Sequence, residues 1–375
     1  MIKQTLLILA AGAALAAPCS YADVANMNAL FEAKKSLMNS HFDSQRQVQD
    51  DKFEQAKKAY RDSFQKAQAR YADIWENPAM SSANKWVVYS NDKRVRRTVD
   101  FESGEYTVEI LGAKNQAEVD GIIRAQTREL SSATVASAVA KDPVLSQISS
   151  QKVYEHKRVL PNTSTASLIA KKRQTQFEQP NGQTVTKVSM AFPKDALSQR
   201  GLEYVPEIEK QANKWQVDPV LMMAIMHTES HFNPVAQSHI PAYGLMQIVP
   251  TTAGKDVTRL HMGQERLLQP SELFDANYNI EVGAAYLNIL DARYLKGIQD
   301  PTTRMYIAIS SYNGGVGSVA KHFTGTGSLK KLASHVNGMK PQRVYHSLAH
   351  QFPFEETRNY IQKVEAKRQF YAPYF

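Results

Sequence analysis

A chain of 375 residues has room for about two domains. With 43% hydrophobic and 22% charged residues, and no apolar run beyond the first twenty or so positions long enough to cross a bilayer, it excludes a protein that spans the membrane with several apolar helices. The formal net charge of +9 favours acidic partners, whether nucleic acid, anionic lipid or a carboxylate-rich wall. No nucleic-acid-binding motif accompanies that charge, which could equally serve solubility alone.

At the N-terminus, Lys3 precedes an apolar stretch from Leu6 to Ala17, and small residues end in Ser20-Tyr21-Ala22 before Asp23. This predicts a secretory signal peptide over 1–22, cut after Ala22, and hence export. Cys19, the only cysteine, lies inside it, so the mature chain would carry neither thiol nor disulfide. The rival reading makes Cys19 the lipid anchor of an outer-membrane lipoprotein. Pro18 directly before it, and a leucine one place out of register, argue against that processing.

Residues 23–80 read as a long helical segment. Phe53, Ala56, Tyr60, Phe64, Ala67, Tyr71 and Ile74 recur at spacings of three and four, between charged residues. Aromatics at the seam fit packing on a neighbour better than a coiled coil. From Trp86 the period changes to two. Val95, Arg97, Val99 and Phe101, a turn at Glu102-Ser103-Gly104-Glu105, and Tyr106, Val108 and Ile110 predict a hairpin. A helix is expected from Ala117 to about Ala140, and a strand around Val185 to Phe192. Residues 81–198 thus read as an accessory α+β domain without a cluster of catalytic residue types. The boundary is expected within Pro193 to Gly201, and residues 199–375 read as almost wholly helical.

Within that last part, Asp218 is a good N-cap and Pro219 suits the first helical position. Met222, Ile225 and Met226 form an apolar stripe, and Glu229 falls four residues after Ile225 on the same side. A carboxyl there is costly to ionise, so its pKa should rise into the range a general acid needs. Taken alone, Glu229 could equally be a cap or an ion-pair partner.

Four blocks extend the pattern in order: ESHFNPVA (229–236), AYGLMQIVPTTA (242–253), NIEVGAAYL (279–287) and AISSYNGG (308–315), the last followed by ETRNY (356–360). On these residues the chain resembles the lytic transglycosylases of the soluble-lytic-transglycosylase type, with a goose-lysozyme-like fold. It is most similar to the membrane-bound lytic transglycosylase C group. The stretch WVVYSNDKRVRRTVDFESGEYTVEI resembles that group's accessory domain more weakly. The fold expected is therefore α+β: a long N-terminal helical segment, a small mixed domain, and a mainly helical lysozyme-like catalytic domain.

The resemblance implies that Glu229 is the catalytic acid and base. It implies that Ser238 sits near that carboxylate and the substrate's acetamido group, that Tyr312 and Asn313 line the cleft, and that Tyr360 approaches Glu229 from the C-terminal helix. Met246 and Gln247 would form part of the sugar-binding wall. Each has a plainer alternative: a turn cap for Ser238, core packing for Met246, Tyr312 and Tyr360. The partner implied is the glycan strand of peptidoglycan, in the periplasm, with no cofactor and no metal. With no second acid evident beside Glu229 in the blocks, one carboxyl would protonate the glycosidic oxygen. It would then take the proton of the same sugar's C6 hydroxyl, closing a 1,6-anhydro ring. Two other readings stay open. One is a hydrolytic goose-type muramidase, with Asp256 or Asp275 holding a water. The other is a wall-binding protein without activity. His227 and His231 have the i,i+4 spacing of a zinc pair. Glu229, however, lies about 200° round the helix from His227, unlike the glutamate of a zinc-protease motif.

Overall fold

The computed structural model describes residue 51 and residues 54–375, except 149–152, 154, 161–163, 194–195 and 239–240. The expected signal peptide and the helical pattern before residue 51 lie outside them. The described residues from 54 onward form one compact unit.

Helix α1 (54–72) is amphipathic as its spacing predicts. Tyr60, Ala67 and Tyr71 are buried while the charged residues between them face outward. The chain then turns at 73–74, short of the expected end. A five-stranded antiparallel sheet follows, from β1 (Lys85–Tyr89), β2 (Val95–Asp100), β3 (Glu105–Leu111), β4 (Arg173–Glu178) and β5 (Thr184–Ala191), in the order β1-β2-β3-β5-β4. The hairpin β2–β3 pairs Val99 with Tyr106, and β3 pairs Val108 with Val188. Side chains alternate between faces. Trp86, Val99, Tyr106, Val108 and Met190 join the main core, which also holds Val119, Ile123 and Leu130 of α2 (Gln116–Ser132). Val87, Tyr89, Leu111 and Val185, on the other face, pack with Tyr71 and Trp75.

Two departures from the sequence pattern have local causes. The helix expected over 117–140 is α2 and α3 (Val135–Lys141), parted at an extended Ala133. Thr134 caps the second piece: its side chain accepts from Ser137 N–H while the Ser137 hydroxyl accepts from Thr134 N–H, a reciprocal capping box that starts a new helix. Strand β4 is exposed along its whole length, so it carries no apolar alternation to read; its pairing with β5 alone defines it.

After short helices α4 (Leu145–Ile148) and α5 (Thr165–Ala170), helix α6 (Ala196–Leu202) occupies most of the expected boundary segment. The rest is helical: α7 (Val205–Trp215), α8 (Pro219–Ser230), a π-helical turn at Pro250–Gly254 running into α9 (Lys255–Leu260), and α10 (Pro270–Leu273). Next come α11 (Ala276–Asn288), α12 (Pro301–Gly314), α13 (Val316–Thr324), α14 (Leu329–Val336), α15 (Pro341–His346) and α16 (Glu355–Tyr371). Asp218, Asp275 and Asp300 cap α8, α11 and α12, each accepting a backbone N–H. Among the described residues no helix is long and apolar enough to cross a membrane.

Helix α8 is the centre of this part. Leu221 through Met226 are all buried, so the helix is enclosed on every side rather than along one stripe. It packs against α7 and α16. Helix α11 brings Gly283 against the buried Met246: a Cβ there would run into the Met246 sulfur and lie 2.8 Å from its Cε. Gly283→Ala should therefore destabilise the protein by about 1–3 kcal/mol through overpacking, read as a lower midpoint in urea unfolding.

Candidate active site

Glu229 occupies the last turn of α8, and the backbone beyond it is held in an uncommon shape. His231 and Phe232 both adopt positive φ, 50° and 60°, so the helix stops abruptly without a glycine. The Phe232 ring supports this turn: it is buried against Tyr204, His227 and Tyr371. The buried Arg200 guanidinium donates to the Phe232 carbonyl. Glu229 therefore projects at the end of a rigid helix, toward α16.

There the Tyr360 hydroxyl donates to Glu229 Oε1 at 2.6 Å. Glu229 itself is half-buried, with the protein atoms packed around its carboxyl stripping it of water. That desolvation pushes its pKa up to about 8, the bond from Tyr360 opposes the rise, and the nearby charge of Glu356 adds to it. Burial and the neighbouring Glu229 carboxylate push Tyr360 and Tyr312 well above the usual phenol range, so both remain donors at neutral pH.

The Tyr312 hydroxyl donates to the Met246 carbonyl at 2.8 Å, and its ring lies 5.5 Å from that of Tyr286. Asn313 ties α12 to α16. Its Nδ2 donates to Glu356 Oε1 at 3.3 Å, and its Oδ1 accepts from the Thr357 hydroxyl at 2.8 Å. The loop between α8 and the π-helical turn is pinned by Asn279, which is fully buried. Asn279 accepts from Met246 N–H at 2.8 Å and donates to the carbonyls of Tyr243 and Leu273 at 2.8 and 2.9 Å. Gly244, at φ 74°, sits so close that any side chain would strike Asn279 and the Leu273 carbonyl.

The structure thus gathers Glu229, Tyr360 and Tyr312, with Asn313 joined through Glu356. Met246 differs from its expected place: its side chain is 0% exposed and packs under the loop, so it offers its carbonyl and not its thioether. Gln247, at φ 46°, turns its amide back onto the Gly244 carbonyl at 3.0 Å and is likewise buried. Ser238 is placed by its backbone N–H, which donates to the Ala242 carbonyl at 3.2 Å.

Two residues with a part in the site escape the sequence reading. Asn279 opens one of the motif blocks but carries no sign of its triple bond. Glu356 corrects the expectation that no second acid lies near Glu229. It stands four residues before Tyr360, and that spacing on one helix was the available signal. The other acids considered are engaged elsewhere: Asp256 accepts from Tyr294 at 2.9 Å and pairs with Arg259 at 2.7 Å, and Asp275 caps α11. The His227 and His231 rings lie 5.1 Å apart, with His227 Nδ1 2.8 Å from the Tyr371 hydroxyl. Burial pushes the His227 pKa down to about 3.

Residues 206–334 match the family described as the Transglycosylase SLT domain. A membrane-bound lytic murein transglycosylase C from Actinobacillus pleuropneumoniae is 33% identical over 302 residues, covering 78% of this chain and 81% of that protein. One from Pectobacterium atrosepticum is 32% identical over 308 residues, covering 76% and 82%. Among solved structures, the 70 kDa soluble lytic transglycosylase of Escherichia coli is 24% identical over 46% of this chain, with a TM-score of 0.36. The chain spans 24% of that structure's length. The chain belongs to the lytic murein transglycosylases, a family of lyases, and within them to the relatives of the membrane-bound C enzymes.

A carboxyl that keeps its proton to about pH 8 when folded, but releases it near 4.5 when unfolded, makes folding take up a proton between those limits. Its contribution to stability is most favourable below pH 4.5 and is lost as pH rises toward 8. Glu229→Gln should therefore raise the melting temperature at pH 8, with the gain shrinking to nothing near pH 4, by calorimetry across that range. Tyr360→Phe removes the bond that favours the ionised form. It should move the Glu229 ionisation upward by about one pH unit, visible as a shifted alkaline limb of activity.

Proposed function

We propose that the protein cleaves the β-1,4 bond between N-acetylmuramic acid and N-acetylglucosamine in peptidoglycan without consuming water, with Glu229 as acid and then base. The single observation that carries this is a carboxyl enclosed by protein that accepts from a tyrosine hydroxyl at 2.6 Å, its pKa pushed up to about 8 by desolvation. Protonated Glu229 gives its proton to the glycosidic oxygen as the bond to the muramic anomeric carbon breaks, and the N-acetylglucosamine leaves as an alcohol. Positive charge on the anomeric carbon can be stabilised by the sugar's own acetamido oxygen. Glu229, now ionised and stabilised by Tyr360, removes the proton of that sugar's C6 hydroxyl. The C6 oxygen then bonds the anomeric carbon to give a 1,6-anhydro end. The carboxyl is protonated again, so the cycle closes with atoms and charge balanced.

In this reading Tyr312 and Asn313 line the cleft beside the scissile bond, Ser238 meets the acetamido group, and the loop through Gln247 forms a wall. No step calls for a metal or cofactor. The partner is a polyanionic wall, and the charge distribution agrees. Between Asp300 and Glu355 the chain has no acid, while Lys321, Lys330, Lys331, Lys340 and Arg343 are exposed. An exported protein acting on this substrate would work in the periplasm, with outer-membrane attachment depending on Cys19.

The hydrolytic reading needs a second carboxyl to hold a water, and Glu356 is the acid whose charge reaches Glu229. Mass analysis of muropeptides released from purified sacculi separates the two. Wild type and Glu356→Gln should both yield 1,6-anhydro ends, and Glu229→Gln should lose about 10²- to 10⁴-fold in rate. Hydrated reducing ends as the main product, abolished in Glu356→Gln, would establish hydrolysis instead.

A further inference from the structure

The residue beside Ser238 is gripped from outside the SLT-matched segment. Gln237 is 0% exposed and both ends of its amide are used. Its Nε2 donates to Asp142 Oδ2 at 2.8 Å, and its Oε1 accepts from the Tyr60 hydroxyl at 3.1 Å. Asp142 follows the last turn of α3 and is itself anchored, its Oδ1 accepting the N–H groups of Val144 and Leu145 at 2.9 Å each. Tyr60 belongs to α1, and its ring meets that of Tyr243 edge-on at 6.0 Å. Two backbone ties run in parallel: Asn233 Nδ2 donates to the Ala83 carbonyl at 3.1 Å, and Gln237 N–H to the Ser82 carbonyl at 3.4 Å.

We infer that Gln237 is a positioning residue for the cleft loop, and that Tyr60 and Asp142 form the clamp through which the region before the SLT segment sets where Ser238 stands. The polarity of the amide decides the fit. As bonded, both Asp142 oxygens accept and the Tyr60 hydroxyl donates, so one rotamer of a neutral amide satisfies both. Loss of either partner leaves a buried polar atom unmatched one residue from Ser238. The clamp also gives the region before the SLT segment a task in the reaction itself: Tyr60 of α1 and Asp142 after α3 hold the wall of a cleft built by other helices.

This inference rests on the proposed contact of Ser238 with the substrate, so its test treats the two separately. Kinetics on soluble uncrosslinked glycan strands, with the full chain and well below each variant's melting temperature, supply kcat and KM. Gln237→Glu sets two carboxylates against each other and should lower kcat/KM about tenfold to a hundredfold while the far-ultraviolet dichroism stays native. The double variant Q237E/D142N reverses donor and acceptor along the same bond, keeps the charge count, and should restore kcat/KM to within about threefold of wild type. A folded Q237E with wild-type kcat/KM overturns the inference. So does a double variant that regains its melting temperature but not its rate, since stability alone would then have been at stake. If Q237E does not fold, Tyr60→Phe, which removes one hydroxyl, takes its place: a several-fold fall in kcat/KM is expected, and an unchanged rate overturns the inference. Ser238→Ala completes the set. A loss there with none in the clamp variants overturns the clamp alone, and no loss there overturns the reading of Ser238 and the inference with it.

Discussion

The rest of this structure depends on keeping one carboxyl out of water. Glu229 ends a helix buried on every side, and the surrounding protein strips hydration from its side chain faster than any partner returns it. A single hydroxyl, that of Tyr360, supplies part of what water would have given to the ionised form. More such donors would draw its pKa back toward the ordinary carboxylate range. Without this one the ionised form would be costlier still. The Tyr360 bond lowers the cost of ionisation, and the charge of Glu356 favours the protonated state.

The scaffold serves that balance by fixing backbone rather than by adding polar groups. Two successive residues at positive φ end α8, held by a buried phenyl ring and the Arg200 guanidinium. The facing loop hangs on Asn279, whose side chain satisfies the Met246 N–H and the Tyr243 carbonyl of that loop and the Leu273 carbonyl at the end of α10. Tyr312 reaches the same loop through the Met246 carbonyl, and Asn313 binds α12 to α16 through Glu356 and Thr357. Three helices and one loop are thus joined by hydrogen bonds whose loss would be felt at Glu229 without touching it.

Much of this was legible in the residues. Asp218-Pro219 marked the start of α8, the apolar spacing behind Glu229 announced a carboxyl in a greasy place, and the alternation from Val95 to Ile110 gave the hairpin. Strand β4 was not legible, because an edge exposed on both faces carries no hydropathy pattern. Nor was the break between α2 and α3, where Ala-rich residues read as continuous helix until the Thr134–Ser137 pair claims the backbone. In the site, Met246 and Gln247 were read as sugar-facing from their place in a motif, yet both fold inward. Motif position fixes the backbone of a loop, but which way a side chain turns depends on what fills the space beneath it, here Gly283 and the Gly244 carbonyl.

Local chemistry, then, was determined by the sequence: the caps, the periods and the acid on the buried side. Each depends only on residues within a turn or two of one another, whose geometry the backbone dictates. The meeting of Glu229 with Tyr360, 131 positions away, was expected only through the family resemblance, while those of Glu356 with Glu229 and of Gln237 with Tyr60 and Asp142 were decided by the tertiary structure alone. Desolvation and charge act through space, and only the packed chain sets which distant groups share a dry volume.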